Sequence, residues 1–189
     1  MTFRRARVRG NIILVAVLVA LASCREGAAS NPDADEHILD FESTTVRLAT
    51  TRDTVPLTLE LALTTEQQRL GLMERRHLPE RAGMLFLYDS LMPPGAGFWM
   101  YRTRIPLDIA FTDSAGVVQS IRAMAPCTTT LAEGCPTYEP GTPYRYALEV
   151  NAGMLARWGV ERGARLLVED LPPRRAATGT PTRTPTTRP

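Results

Sequence analysis

Lysine is absent from this 189-residue chain, so arginine supplies every strong side-chain cation. Histidine occurs only at His37 and His77, and cysteine only at Cys24, Cys127 and Cys135. No C-x-x-C spacing occurs and no histidine is near the cysteines in sequence, which argues against a zinc site or a redox pair. Also missing are the G-x-S-x-G elbow, the P-loop, H-E-x-x-H and G-x-G-x-x-G. Without them no catalytic constellation is recognisable, and no cofactor or metal is expected. No internal repeat is present. The longest apolar run, Ile12–Ala22, is about 11 residues, short of the ~20 that span a bilayer as a helix.

What is present is ordinary globular material, 44% hydrophobic and 22% charged. The formal net charge of +2 owes four positive charges to Arg4, Arg5, Arg7 and Arg9, which precede the apolar run with no acid among them. Removing that segment leaves about −2, and the arginines of the C-terminal tail are too dispersed to form a basic stripe. Nucleic acid is therefore not an expected partner.

Basic residues, an apolar run and then Leu21-Ala22-Ser23-Cys24 have the order of an export signal, residues 1–23. The last four residues look like a lipobox, in which the cysteine is lipidated and becomes the new N-terminus. Two or more acyl chains, at roughly 0.8 kcal/mol per buried CH₂, hold a protein stably on a membrane. Ordinary cleavage near Ser23, with Cys24 incidental, is the alternative. Lipid on Cys24 also resolves the odd cysteine count, since Cys127 and Cys135 are then left as a pair in an oxidising compartment. A disulfide between them would add roughly 2.5 kcal/mol by loop closure; free thiols or a metal site are the alternatives. The expected location is the extracytoplasmic side of a membrane. Arg25 rather than Asp after the lipid cysteine favours the outer membrane where there are two.

Residues 24–43, poor in large apolar groups, read as a tether, and the Thr/Pro/Arg-rich residues 173–189 as a tail that buries nothing. Between them, residues 44–172 suffice for one modest core. Val55, Leu57, Leu59, Leu61 and Leu63 alternate as in a half-buried strand, with Pro56 marking an edge or a strand start. Met84–Tyr88 is a short continuous apolar run, as for a strand buried on both faces. Leu107–Thr112 and Val117–Ala123 flank the turn Asp113-Ser114-Ala115-Gly116 and read as a hairpin. Tyr144–Val150 and Arg165–Glu169 complete the strands.

Two helices are expected, one capped by Thr64 or Thr65 with Gln67 or Gln68 closing a capping box. The other is capped by Asn151 and stopped by Gly159 with Val160 touching Leu155. The fold class is mainly β, a compact β-sandwich or barrel-like domain with two short helices.

Six ordered segments then carry a resemblance: Glu66–Met73, Leu78-Pro79, Gly83–Phe86, Phe98-Trp99-Met100, Ile105–Phe111 and Leu148–Gly153. Together they resemble the bacterial and archaeal family called domain of unknown function 192, over roughly Thr45 to Glu169. The resemblance implies a compact β-sandwich or barrel-like fold, often exported, with no established reaction. Family members usually follow Phe-Trp-Met with Lys-Asn-Thr. Here Tyr101-Arg102-Thr103 stands instead, with Arg102 offering a cation one position later.

The candidate ligand-facing residues are Trp99, Arg102, Asp108, Glu149 and Arg69. Alternation sets Asp108 and Ala110 opposite Leu107, Ile109 and Phe111. A carboxylate among apolar neighbours needs a partner, and a salt bridge or hydrogen bond, to Arg69, Arg75 or Arg102 for instance, is the structural alternative. In extended backbone Phe98 and Met100 take one side and Trp99 and Tyr101 the other. Trp99 is then either a core anchor or, with Tyr101, a platform for a sugar ring or a cationic ligand.

The leading functional expectation is a membrane-anchored module of the cell envelope that binds a small ligand or an envelope protein. An envelope hydrolase built on Asp108 with Arg69 or His77 is the competing class. A structural lipoprotein that meets its partner through the tail or the cysteine loop is a third.

Overall fold

The computed structural model describes residues 39–172. The expected export signal, Cys24, most of the expected tether and the expected C-terminal tail lie outside the described residues. The elements in chain order are β1 (Ser43–Ala49), β2 (Thr54–Ala62), α1 (Thr65–Leu70), β3 (Ala82–Met92), β4 (Phe98–Trp99), β5 (Leu107–Thr112), β6 (Val118–Met124), β7 (Thr137–Tyr138), β8 (Tyr144–Asn151), α2 (Met154–Arg157) and β9 (Arg165–Leu166). Seven strands form one sheet in the order β6-β5-β8-β3-β2-β1-β9, while β4 and β7 make a separate two-stranded ribbon. The class is mainly β with two short helices, as the periodicities indicate.

The sheet curls into a half-barrel whose outermost strands touch at one end. Val117 bridges Arg165, and Leu166 N donates to Gly116 O at 2.9 Å. Gly116 is required there twice over. Its φ is +79°, and a Cβ would sit 2.1 Å from Leu166 O.

Period-2 alternation divides the apolar residues into two cores. Val46, Leu48, Leu57, Leu59, Leu61, Leu85, Leu148 and Leu166 fill the concave side. Met84, Phe86, Leu107, Ile109, Phe111 and Tyr144 line the convex side, which is roofed by Leu72 and Leu78 after α1, by Met100 and by Cys127. Met84–Leu87 serve both cores, which accounts for their uninterrupted apolar run. Pro56 pairs with Arg47 of β1, whereas the β3 pairing begins only at Thr58, so the missing N–H costs no ladder bond on that side.

The Thr64–Gln67 capping box forms on α1 as expected. At the end of α2, Val160 N donates to Leu155 O and Gly159 N to Ala156 O, which is a Schellman stop with Gly159 at φ +73°. The start of α2 differs from expectation: Gly153, not Asn151, is the cap residue. Asn151 ends β8, and its amide donates to Leu78 O at 2.8 Å. The expected last strand, Arg165–Glu169, is only the two residues of β9, followed by a 3-10 turn at Val168–Asp170. Asp170 accepts from Arg47 N and from its guanidinium, and this fixes the turn against β1.

Candidate ligand-binding face

Four pieces of chain converge on the convex side: the turn after α1, β4, the Met100–Arg104 segment and the Cys127–Cys135 loop. Phe98 anchors β4, its ring edge-on to Phe86 (centroids 4.9 Å) and to Phe111 (5.6 Å). Met100 is buried two residues on. These two inward positions turn the intervening side chains outward. Trp99 is 40% exposed, and its ring lies 5.7 Å from that of Tyr101 with the planes at 43°. The anchor of this segment is thus Phe98 rather than Trp99, and the Trp99–Tyr101 pair presents aromatic surface to solvent.

The next residues bring charge beside that surface. Arg102 (φ 55°) and Glu74 (φ 61°) both have left-handed backbone, which costs an ordinary side chain roughly 1 kcal/mol or more. Cross-ties hold them there. Glu74 N donates to Arg102 O at 2.8 Å, and Arg102 Nε donates to Glu74 Oε1 at 2.7 Å. Arg104 Nε donates to Glu74 Oε2 at 2.5 Å. Hydrogen bonds from Arg102 and then Arg104 hold the Glu74 carboxyl below the ordinary glutamate range. One carboxylate shared by two guanidiniums leaves a net positive charge.

Glu74, Arg102, Arg104 and Thr128 line an open cleft of about 380 Å³. Cys127 and Cys135 form a disulfide, and Cys127 bridges to both Tyr101 and Thr103. Tyr101 OH donates to Thr130 O at 3.4 Å, so the disulfide loop walls the same cleft. Of these residues Trp99 and Arg102, with Tyr101 as the aromatic partner, stand out in the sequence, whereas Glu74, Arg104 and Thr128 do not. No local pattern marks them, because the chain turns at Arg102, where φ is 55° and Thr103 N donates to Met100 O, so strand alternation does not apply.

The other candidates lie elsewhere. Asp108 faces the concave side, as alternation indicates, 7% exposed. Its Oδ2 accepts from Gly153 N at 2.8 Å, and Leu155 N also bonds to its carboxylate. Asp108 therefore caps α2 from 45 residues away, and the partner is backbone rather than any of the three arginines considered. Burial raises its pKa, and those two backbone bonds pull the other way.

Glu149 sits opposite both Met84 and Ile109, so it projects into the convex core, on the other sheet face from Asp108. It is 4% exposed, and burial alone pushes its carboxyl up to about 8. The row across that face reads Glu60, Met84, Glu149, Ile109, Arg122 in register. The guanidiniums at its ends are committed, Arg75 bidentate to Glu60 and Arg122 to backbone carbonyls. Arg69 is exposed in the last turn of α1 and His77 on the loop beyond, and neither lines the cleft. The structure thus places Arg102 in the cleft and Trp99 exposed against Tyr101 just before it in the chain, with Asp108, Glu149 and Arg69 outside the cleft lining.

A family model matches residues 46–168, from β1 to the final turn. The chain belongs to the DUF192 family, described as an uncharacterized ACR. No curated protein matches it. Among solved structures, this DUF192 chain is similar to one from Sinorhizobium meliloti 1021 described as a "putative transcription regulator". The TM-score is 0.60 at 35% identity, covering 68% of this chain and 95% of that one. A protein of unknown function from Novosphingobium aromaticivorans DSM 12444 is similar at TM-score 0.58 and 30% identity, covering 68% and 87%. The match places all six motif segments inside one DUF192 domain, with Arg102 and its left-handed backbone at the departure from the usual Lys-Asn-Thr.

Proposed function

We propose that this DUF192 protein is exported, held by lipid on Cys24 at the extracytoplasmic side of a membrane, and binds a ligand there rather than transforming it. The observation that carries the binding role is the exposed Trp99–Tyr101 pair continuous in the chain with Arg102 and Arg104. Aromatic faces stack on rings, and guanidiniums recognise carboxylate or phosphate. A ring-shaped ligand with an anionic substituent, such as an acidic sugar of the envelope, fits this pairing better than a cationic ligand does. Presentation of such a ligand by an envelope protein or polymer fits the same face. Asp108, the residue on which a hydrolase would be built, is occupied in capping α2. That favours binding over hydrolysis.

Cys24→Ser should move the protein out of the membrane fraction, and its persistence there would contradict the anchor. With the full chain in detergent, N-acetylmuramic acid should raise the melting temperature, since a ligand bound only to the folded state stabilises it. Trp99→Ala and Arg104→Ala should abolish the rise. A rise undiminished in both variants, or none with this sugar acid, would contradict the binding face.

A further inference from the structure

We infer that a second ligand site lies beside β6, for a small hydroxylated molecule carrying a phosphate or carboxylate. A cleft of about 560 Å³ opens there, within the range of small-molecule sites. Its lining includes Gln119, Ser120, Arg122, Pro140, Thr142 and Arg162, and no lining residue is acidic. It is separate from the Trp99 face. The β4–β7 ribbon is antiparallel, so the chain leaves Trp99 toward the first cleft at one end and leaves Tyr138 toward Pro140 and Thr142 at the other.

Three features of this cleft point to an anion. Arg122 is placed by backbone alone, donating through Nε to Glu139 O (3.0 Å), through Nη1 to Ile121 O (2.9 Å) and through Nη2 to Pro140 O (2.9 Å). Carbonyls orient a guanidinium but leave its charge without a counter-ion, and two of its five N–H groups remain for a ligand. Arg162 adds a second, exposed guanidinium. Asp113, which precedes β6 and does not line the cleft, has its carboxylate engaged by Gln119 Nε2 (2.9 Å) and by the N–H groups of Ala115 and Val117.

The third feature is Ser120. Among the described residues, its Oγ is the buried side-chain oxygen or nitrogen with no hydrogen-bond partner. Ser120 is 8% exposed and belongs to the cleft. Buried hydroxyls are nearly always satisfied, so an orphan beside an uncompensated guanidinium is a donor awaiting an acceptor. The Thr142 hydroxyl and the Gln119 carbonyl oxygen add a donor and an acceptor suited to ligand hydroxyls.

The test is calorimetric titration of the full chain in detergent, carrying Trp99→Ala to disable the first face, with glucose-6-phosphate, glucuronate, inorganic phosphate and glucose. We expect at least one of the two sugar anions to bind, more tightly than glucose, with affinity falling as salt rises. Preference between them tells phosphate from carboxylate. Arg162→Ala, a surface change, and Ser120→Ala should each weaken binding about tenfold. Ser120→Ala should leave the melting temperature unchanged or higher, because it removes an unsatisfied polar atom. That separates ligand recognition from a structural role. Because the first face is disabled in this background, its failure and the failure of this site are distinguishable. No binding by either sugar anion, or binding indifferent to both Ser120→Ala and Arg162→Ala, would overturn the inference.

Discussion

Replacing Glu149 by glutamine is expected to stabilise the protein by about 3 kcal/mol near pH 8 and to flatten its stability against pH. Glu149 lies in the convex core between Met84 and Ile109, and burial alone raises its carboxyl from 4.5 to about 8. The nearest charged groups on the same face, Glu60, Arg75 and Arg122, are engaged elsewhere, and Tyr88 is itself raised chiefly by burial. A raised acid binds its proton in the folded state while the unfolded chain has released it. The penalty from Glu149 is therefore absent below about 4.5, grows as pH rises through the window from 4.5 to about 8, and levels off above it.

The full interval sets an upper bound of roughly 5 kcal/mol at ~1.4 kcal/mol per unit. Glutamine keeps a polar group in the same apolar site, which brings the expected gain down to about 3 kcal/mol. Urea unfolding of both proteins between about pH 5 and about pH 9 would show the curves diverging as pH rises. Parallel curves would mean that Glu149 is not buried in this way.

Asp108→Ala is expected to cost roughly 2–3 kcal/mol, or about 8 °C in melting temperature. It removes the acceptor of Gly153 N and Leu155 N, and α2 has no side-chain cap of its own. Asp108→Asn, which keeps an amide oxygen in place, should cost less than about 1 kcal/mol. If Asp108 instead served a ligand or a reaction, both variants would fold as the parent does and lose that activity together. Differential scanning calorimetry on the three proteins separates these outcomes.

These two acids also mark where sequence reasoning stops. Alternation along Leu107–Phe111 sufficed to turn Asp108 away from Ile109. The cap it provides to α2 depends on the β5–β8 register, which no local pattern encodes. The same register puts Glu149 opposite Ile109, on the face that Asp108 does not share. Local signals served well wherever the physics was local: the Thr64–Gln67 box, the Gly116 turn, the Gly159 stop and the Leu ladder of β2. β1 escaped notice because only Val46 and Leu48 are inward and apolar in seven residues, and its neighbours are Thr and Arg.

At the candidate face, the order Phe98-Trp99-Met100-Tyr101 was enough to separate the aromatics by side. Which side faced solvent required knowing that Phe98 meets Phe86 and Phe111. Glu74 was invisible because it reaches Arg102 and Arg104 across 28 and 30 residues, through left-handed backbone that neither residue type favours.

The central claim, that the Trp99–Arg104 face binds a ring-shaped anion, is tested most directly by tryptophan fluorescence. The chain has two tryptophans, so Trp158→Phe leaves Trp99 as the sole reporter. Titrating that variant with N-acetylmuramic acid should change the emission saturably. The apparent affinity should fall as salt rises and be lost on Arg104→Ala, with neutral glucose giving a much weaker response. Emission that is unchanged by the acidic sugar, or that changes equally with glucose and without regard to salt or Arg104, would contradict it.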